Sequence, residues 1–439
     1  MSPSLRVRRR LGTEVSARPA PAVATLAAAS STVSRPRLVH RARLAAPPPS
    51  DAPEPMRAPK ILLYSHDTFG LGNIRRSLLL CQALCEEYAD AAILLVTGSP
   101  VIHAFRIADG IDYIKLPCLD RVDADRYEPR FLTAWSEDVT RLRRDILGRT
   151  IHDFSPDLMI VDKRAAGIDG ELLEPLRALR RERPEARLVL GLRDILDEPA
   201  RTRRSLARSR SFETIERYYD EVWIYGERAL FDAATEYRFP EEVARKTHYC
   251  GYLEREAPER PRPPGPPRVL VTTGGGGDGS DLIEAYLEGL ADLPRRISLQ
   301  TTVVFGPQMP AARQAEMRER FGMLSDVTFV DFEPDLTRRY AEADVVVCMA
   351  GYNTVCELLS FGRRAVLVPR GKPVAEQLLR ARLFAARGDF EMVEPDALAP
   401  ETLMRKILEQ LDRPDAPSSG VDLRGLPRVL GRVRRLLAR

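Results

Sequence analysis

From residue 60 onward the chain alternates short apolar, β-branched runs with longer segments of helical spacing, and it does so twice. Runs at 61–64, 92–96, 111–116, 158–161, 188–192 and 222–225 are separated by segments such as 74–88 and 134–154, where apolar residues recur every three or four positions. Continuous apolar strands suit a sheet covered on both faces, so the alternation predicts a doubly wound parallel sheet. A proline-rich stretch, 258–267, interrupts the pattern, and runs at 269–272, 302–305, 327–330, 345–348, 365–368 and 390–393 restart it. The reading is an α/β chain of two Rossmann-like domains, 56–257 and 268–439, joined by a stiff linker at 258–267.

With 439 residues, 44% of them hydrophobic, the chain can bury two sizeable cores. Its net charge of +4 is misleading: residues 1–50 hold nine arginines against the single acid Glu14, which leaves −4 for everything after residue 50. A mildly acidic body argues against a nucleic-acid surface. Residues 1–55 are rich in Arg, Ala, Pro and Ser without an apolar period, so a disordered tail is expected. A start at Met56, just before the first strand, accounts for the tail equally well. The six cysteines show no paired metal spacing, which points to a reducing, cytoplasmic compartment. No run reaches the roughly 18 to 20 apolar residues of a membrane span.

Two glycine-bearing turns carry the chemistry. Asp344-Val-Val-Val-Cys-Met-Ala-Gly351-Tyr-Asn353-Thr354-Val-Cys-Glu357 reads as a buried strand, a glycine turn and a helix start, and a second strand at 365–368 leads to the polar pair Glu376 and Gln377. An α/β sheet presents a helix N-terminus to a phosphate in this way. Thr354 and Glu357 also have the spacing of a capping box, which would only satisfy backbone donors. The second turn follows the run at 269–272: Gly274, Gly275, Gly276 and Gly277, then Asp278-Gly-Ser280 and a helical segment. Such glycines let backbone amides converge on an anion, or serve as a plain flexible turn.

The segment 327–377 resembles the donor-binding half of the GT-B glycosyltransferases, and of glycosyltransferase family 28 in particular. The resemblance implies the GT-B fold, two Rossmann-like domains facing each other across a cleft, with a terminal helix (426–437) that crosses back onto the first domain. By the same resemblance Glu357 holds the nucleotide ribose, Glu376 and Gln377 hold the sugar hydroxyls, and the glycine loop meets the donor diphosphate. Backbone around Phe332 then reads the base, which makes uridine the expected nucleotide.

In the N-terminal domain the turn Ser65-His66-Asp67-Thr68-Phe69-Gly70-Leu71-Gly72-Asn73 opens the first helix. It is a poor dinucleotide fingerprint, because Arg75 stands where the third glycine belongs. It is more similar to the acceptor-side loop of family 28, with one departure: relatives usually end this loop in Gly-His, and here Gly72 is followed by Asn73. Asparagine cannot take a proton, so His66, oriented by Asp67, is the candidate general base. A histidine at a strand end is also often hydrogen-bonded with no chemical duty. The charged groups Asp162-Lys163-Arg164, Arg193-Asp194, Arg201, Arg203, Arg204, Arg208 and Arg210 read as a solvated face, or as a grip on an acidic acceptor or anionic membrane surface.

The expected activity is transfer of a hexose-type sugar from a UDP-sugar to an unidentified, acidic or lipid-linked acceptor, with no metal and no cofactor beyond the nucleotide sugar. Two alternatives stay open: a nucleotide-sugar epimerase of the same shape, and a binding protein that keeps the donor pocket without a base. Placement is expected to be cytoplasmic, with peripheral membrane contact.

Overall fold

The computed structural model describes residues 58–66, 71–122, 126–256, 258, 265–294, 296–414 and 420–438. The expectations for the tail and Met56, for Asp67 and Gly70, and for most of the linker lie outside the described residues.

The first body of sheet has seven strands: β1 (Lys60–Ser65), β2 (Ala92–Thr97), β3 (Ile111–Lys115), β6 (Leu158–Asp162), β7 (Arg187–Arg193), β8 (Glu221–Tyr225) and β9 (Thr247–Tyr249). They lie in the order β3-β2-β1-β6-β7-β8-β9, every neighbouring pair parallel. A small antiparallel hairpin, β4 (Leu119–Arg121) with β5 (Tyr127–Pro129), stands apart. The second sheet has the order β12-β11-β10-β13-β14-β15, again all parallel, from β10 (Arg268–Thr272), β11 (Gln300–Val304), β12 (Val327–Val330), β13 (Val345–Cys348), β14 (Arg364–Leu367) and β15 (Glu391–Met392).

All six expected runs in each half are strands, while β9 and the hairpin are too short and polar to show an apolar run. The last strand is shorter than the run 390–393. Phe390 and Val393 are 4% and 2% exposed and turn to the core, whereas Glu391 and Met392 are half-buried.

Alternation along each strand divides the core. Ile61 and Leu63 face one apolar cluster and Leu62 and Tyr64 another; Val346 and Cys348 face the first cluster while Val345 and Val347 enter a third. The first cluster is shared by both sheets. It also receives the C-terminal helix, Gly425–Leu437, through Val429, Val433 and Leu436.

That helix rests on the N-terminal lobe: Arg434 pairs with Glu87 at 3.1 Å, and Arg432 grips Glu221 at 2.6 and 2.7 Å. Its three buried side chains contribute roughly 1.5–3 kcal/mol each, more than the about 0–1 kcal/mol of a surface pair such as Arg434 with Glu87.

In each sheet the order reverses beside its first strand. β1 lies between β2 and β6, and β10 between β11 and β13. The crevice at such a switch point, outside the carboxyl ends of the strands, is where α/β sheets take ligands. The loops leaving β1, β6, β10 and β13 are therefore the ones to examine.

Candidate functional site

The loop after β10 folds back on the loop after β11. Thr273 Oγ1 donates to Phe305 O at 2.7 Å, and Gln308 N donates to Gly275 O at 2.9 Å. Gly276 has φ +87°, and a Cβ there would stand 2.3 Å from Phe305 O. Glycine at 276 is thus a packing requirement. Gly274 and Gly277 are exposed and border the N-terminus of the helix Ser280–Ala291, which has no side-chain cap. Phe332 is half-buried two loops away, next to Asp331, whose carbonyl accepts from Gly306 N at 2.9 Å.

β13 delivers the chain through Gly351 into the helix Tyr352–Ser360. The N-cap is Gly351 and it has no side-chain cap, so the capping box does not form. Glu357 does something else. Its carboxylate, 1% exposed, pairs with Arg75 of the first helix, Gly72–Glu87, while its Oε2 has no hydrogen-bond partner. Asn353 ties the same two helix starts together: Nδ2 donates to Gly72 O at 2.9 Å, and Oδ1 accepts from Arg255 at 3.1 Å. The acceptor-side and donor-side turns are therefore neighbours.

Asn73 is locked. Its Oδ1 accepts from Arg76 Nη2 at 3.1 Å, which leaves Nδ2 to face His66 Nε2 at 3.3 Å as the donor. Arg76 is buried and grips Asp162, at the end of β6, with bonds of 2.6 to 3.0 Å. His66 is 3% exposed. Burial, reinforced by the charges of Lys163 and Arg164, holds its imidazole well below the ordinary range, so the ring is neutral at pH 7. Asn73 thus joins a buried neutral histidine to a buried ion pair.

The polar pair at the start of the helix Glu376–Ala386 is also engaged. Glu376 pairs with Arg193 at the end of β7, and Gln377 Oε1 accepts from Arg370 N at 3.4 Å. Arg370 in turn pairs with Asp278 of the glycine loop. One turn further on, Arg380, fully buried, donates to both oxygens of Asp194 at 2.9 and 2.6 Å and to Ala350 O at 2.8 Å. Tyr352 lies under the guanidinium groups of both Arg76 and Arg380, 5.7 and 5.9 Å from the ring centre.

Sequence reasoning missed Arg75, Arg255 and Arg380 as members of this cluster. Their only signal was a cation one turn into a helix or, for Arg255, just before the linker. The charged run divides: Asp162 and Asp194 are buried in ion pairs, Lys163, Arg164, Arg193, Arg201 and Arg208 line a cavity, and Arg204 is exposed. Among the described residues no group of three or more His, Cys, Asp or Glu could hold a metal ion.

Residues 269–420 match the glycosyltransferase family 28 C-terminal domain. The C-terminal lobe is similar to the C-terminal domain of glycosyltransferase family 28. Within it, the match covers the glycine loop, Glu357 and the Glu376–Gln377 pair.

A curated relative, the UDP-N-acetylglucosamine--N-acetylmuramyl-(pentapeptide) pyrophosphoryl-undecaprenol N-acetylglucosamine transferase of Syntrophotalea carbinolica, is 31% identical over 169 residues, 37% of this chain and 43% of the relative. The chain thus spans about two fifths of the curated relatives it matches.

Solved structures extend the likeness to the fold of both lobes. The calicheamicin glycosyltransferase CalG4 superposes with a TM-score of 0.58 at 16% identity, covering 88% of this chain and 99% of that one. The MurG of Acinetobacter baumannii gives 0.55 at 16%, covering 86% and 99%. The fold of the chain is GT-B.

Proposed function

We propose that this chain transfers a hexose-type sugar from a UDP-sugar to a hydroxyl of an acceptor bound against the N-terminal lobe. The observation that carries the reading is Glu357: a carboxylate 1% exposed, beside the switch point of the donor sheet, with Oε2 lacking a partner. A buried acceptor atom left unpaired costs free energy, and a ribose hydroxyl would supply the missing donor. The donor diphosphate would lie against amides of the Gly274–Gly277 turn and of the helix starts at Ser280 and Tyr352, where partial positive charge stabilises the leaving group as the bond from anomeric carbon to phosphate oxygen breaks. The acceptor oxygen forms the new bond to that carbon, and its proton goes to a base on the loop after β1. The named relative takes UDP-N-acetylglucosamine, which supports uridine. The relatives and structures named are transferases, and the epimerase reading is not carried forward.

Asn73 favours a second reading, a donor-binding protein without turnover, because its amide occupies Nε2 of the neutral His66. Calorimetry with UDP, UDP-glucose and UDP-N-acetylglucosamine tests the donor site directly, since a ligand for the native state binds and stabilises it. UDP binding supports the donor assignment, and no binding of any of the three would overturn it. Hydrolysis or transfer then separates the enzyme from the binding protein. No helix among the described residues is long and apolar enough to cross a membrane.

A further inference from the structure

A cavity opens between the loop after β6, the end of β7 and the helix Pro199–Arg208, with Val374 of the donor lobe on one side. The segment that carries Val374 is tied to the N-terminal lobe on both flanks: Arg201 donates to Pro373 O, and Ala375 N donates to Asp197 Oδ1 at 2.8 Å. It runs directly into Glu376 and Gln377, the pair expected to hold the donor sugar. Glu376 in turn pairs with Arg193 of the cavity wall. The cavity therefore adjoins the sugar end of the donor site.

Its wall is strongly positive. Arg121, Lys163, Arg164, Arg193, Arg201 and Arg208 line it, and Asp197, the one acid among the described residues of the wall, is already engaged by Ala375 N and, at 3.3 Å, by Arg201. Lys163 reaches the wall from a left-handed turn, φ +66°, pinned by its own amide to Gly191 O at 2.7 Å. Burial, and then the charges of Arg193, Arg164 and Arg121, hold its ammonium well below the usual lysine range, although Glu376 opposes them. Like charges gathered in one wall repel, and an anion that enters relieves the repulsion, whereas a neutral sugar leaves it in place. Two buried donors on this wall also lack a hydrogen-bond partner: Oγ1 of Thr202, a residue 5% exposed, and Nε of Arg193. Two such donors match the two oxygens of a carboxylate, whose plane suits the fork of a guanidinium.

We propose that this cavity receives the C6 carboxylate of the donor sugar, so that the donor is a UDP-hexuronic acid and Lys163, Arg193 and Thr202 select it over the neutral hexose. The inference rests on the donor-site reading for its placement, because Glu376 is what joins the cavity to the sugar. Arg193 is then shared: it holds Glu376, which meets the ring hydroxyls, and turns its free Nε to the carboxylate. The cations that read from the sequence as a grip on an acidic acceptor serve the donor instead.

The test is calorimetric titration of the full chain with UDP and with two matched pairs, UDP-glucose against UDP-glucuronic acid and UDP-galactose against UDP-galacturonic acid. In at least one pair the uronic acid is expected to bind about tenfold or more tightly than its neutral partner, the usual worth of one charge-assisted bond. That preference should disappear in Lys163→Met and shrink in Thr202→Val, which keeps shape and removes only the hydroxyl. It is a ratio taken within each variant, so a general loss of folded protein cancels. UDP binding with no preference in either pair, or a preference that both variants keep in full, would overturn the proposal and leave the donor-site reading standing. Failure of UDP and all four sugars to bind would sink the donor-site reading, and the uronic acid with it.

Discussion

Arg75, on the first helix of the N-terminal lobe, pairs with Glu357, 282 residues away on the donor lobe, and leaves Glu357 Oε2 without a hydrogen-bond partner. A ribose that binds Glu357 must share the carboxylate with Arg75 or displace it. The two lobes are therefore coupled at the point where the nucleotide is expected.

Substitution at this pair separates binding from stability. Glu357→Gln keeps the shape and removes the charge, so UDP affinity should fall by about 1–3 kcal/mol, the scale of a hydrogen bond to a charged group. Arg75→Ala instead strands a buried carboxylate and should lower stability by about 3–5 kcal/mol in chemical denaturation. Unchanged UDP affinity in Glu357→Gln would remove the ribose role.

The second prediction concerns pH. His66 stays neutral in the fold because burial and then Lys163 and Arg164 hold its pKa well below 6.5. In the unfolded chain it takes a proton near pH 6.5. Lowering the pH below that value therefore protonates the unfolded state first, so the contribution of His66 is fully present above about 6.5 and is lost as pH falls toward the folded value. The melting temperature of the parent should drop more between pH 7.5 and 5.5 than that of His66→Gln. An NMR titration placing the ring at an ordinary value would show that the burial argument is wrong.

Much of this was legible in the sequence because both halves obey one rule. Most of the buried parallel strands are largely apolar runs, and each candidate turn is marked by glycine. The donor-side residues Gly351, Asn353 and Glu357 lie within seven positions of one another, so a motif captures them. Their partners do not. Arg75 reaches Glu357 and Arg255 reaches Asn353 across the lobes, and no local spacing encodes a contact spanning 98 or 282 residues. The same limit left Lys163 and Arg193 open between a solvated face and a grip on an acidic acceptor, although the two share a cavity wall.

The glycine turn supplies a matched pair of substitutions. Gly274 and Gly276 both have positive φ, +68° and +87°, so alanine strains either backbone. Only at 276 would the new methyl strike a neighbour, Phe305 O at 2.3 Å; at 274 nothing lies within 4 Å. Gly274→Ala should cost about 1 kcal/mol, on the scale of left-handed strain. Gly276→Ala should cost more and displace the loop, so its UDP affinity should fall further. Equal losses in the two variants would mean that packing against the Phe305 turn does not set the loop.

The last prediction tests what holds the lobes in register. Asp194 follows β7 of the N-terminal sheet, Arg380 lies on the donor lobe, and both are almost fully buried, 2% and 0% exposed. Their bidentate pair is completed by Tyr252, whose hydroxyl donates to Asp194 Oδ2 at 3.0 Å. Desolvation of the two charges offsets much of their attraction, so the net worth of the pair is small, whereas removing one partner leaves the other buried and uncompensated. Arg380→Met should thus destabilise the chain by about 3–5 kcal/mol, and Asp194→Leu with Arg380→Met should recover a large part of that loss. The double variant should still bind UDP more weakly than the parent, because Arg380 also holds Ala350 O at the turn before the Tyr352 helix. Additive losses in the double variant would show that Asp194 and Arg380 act independently.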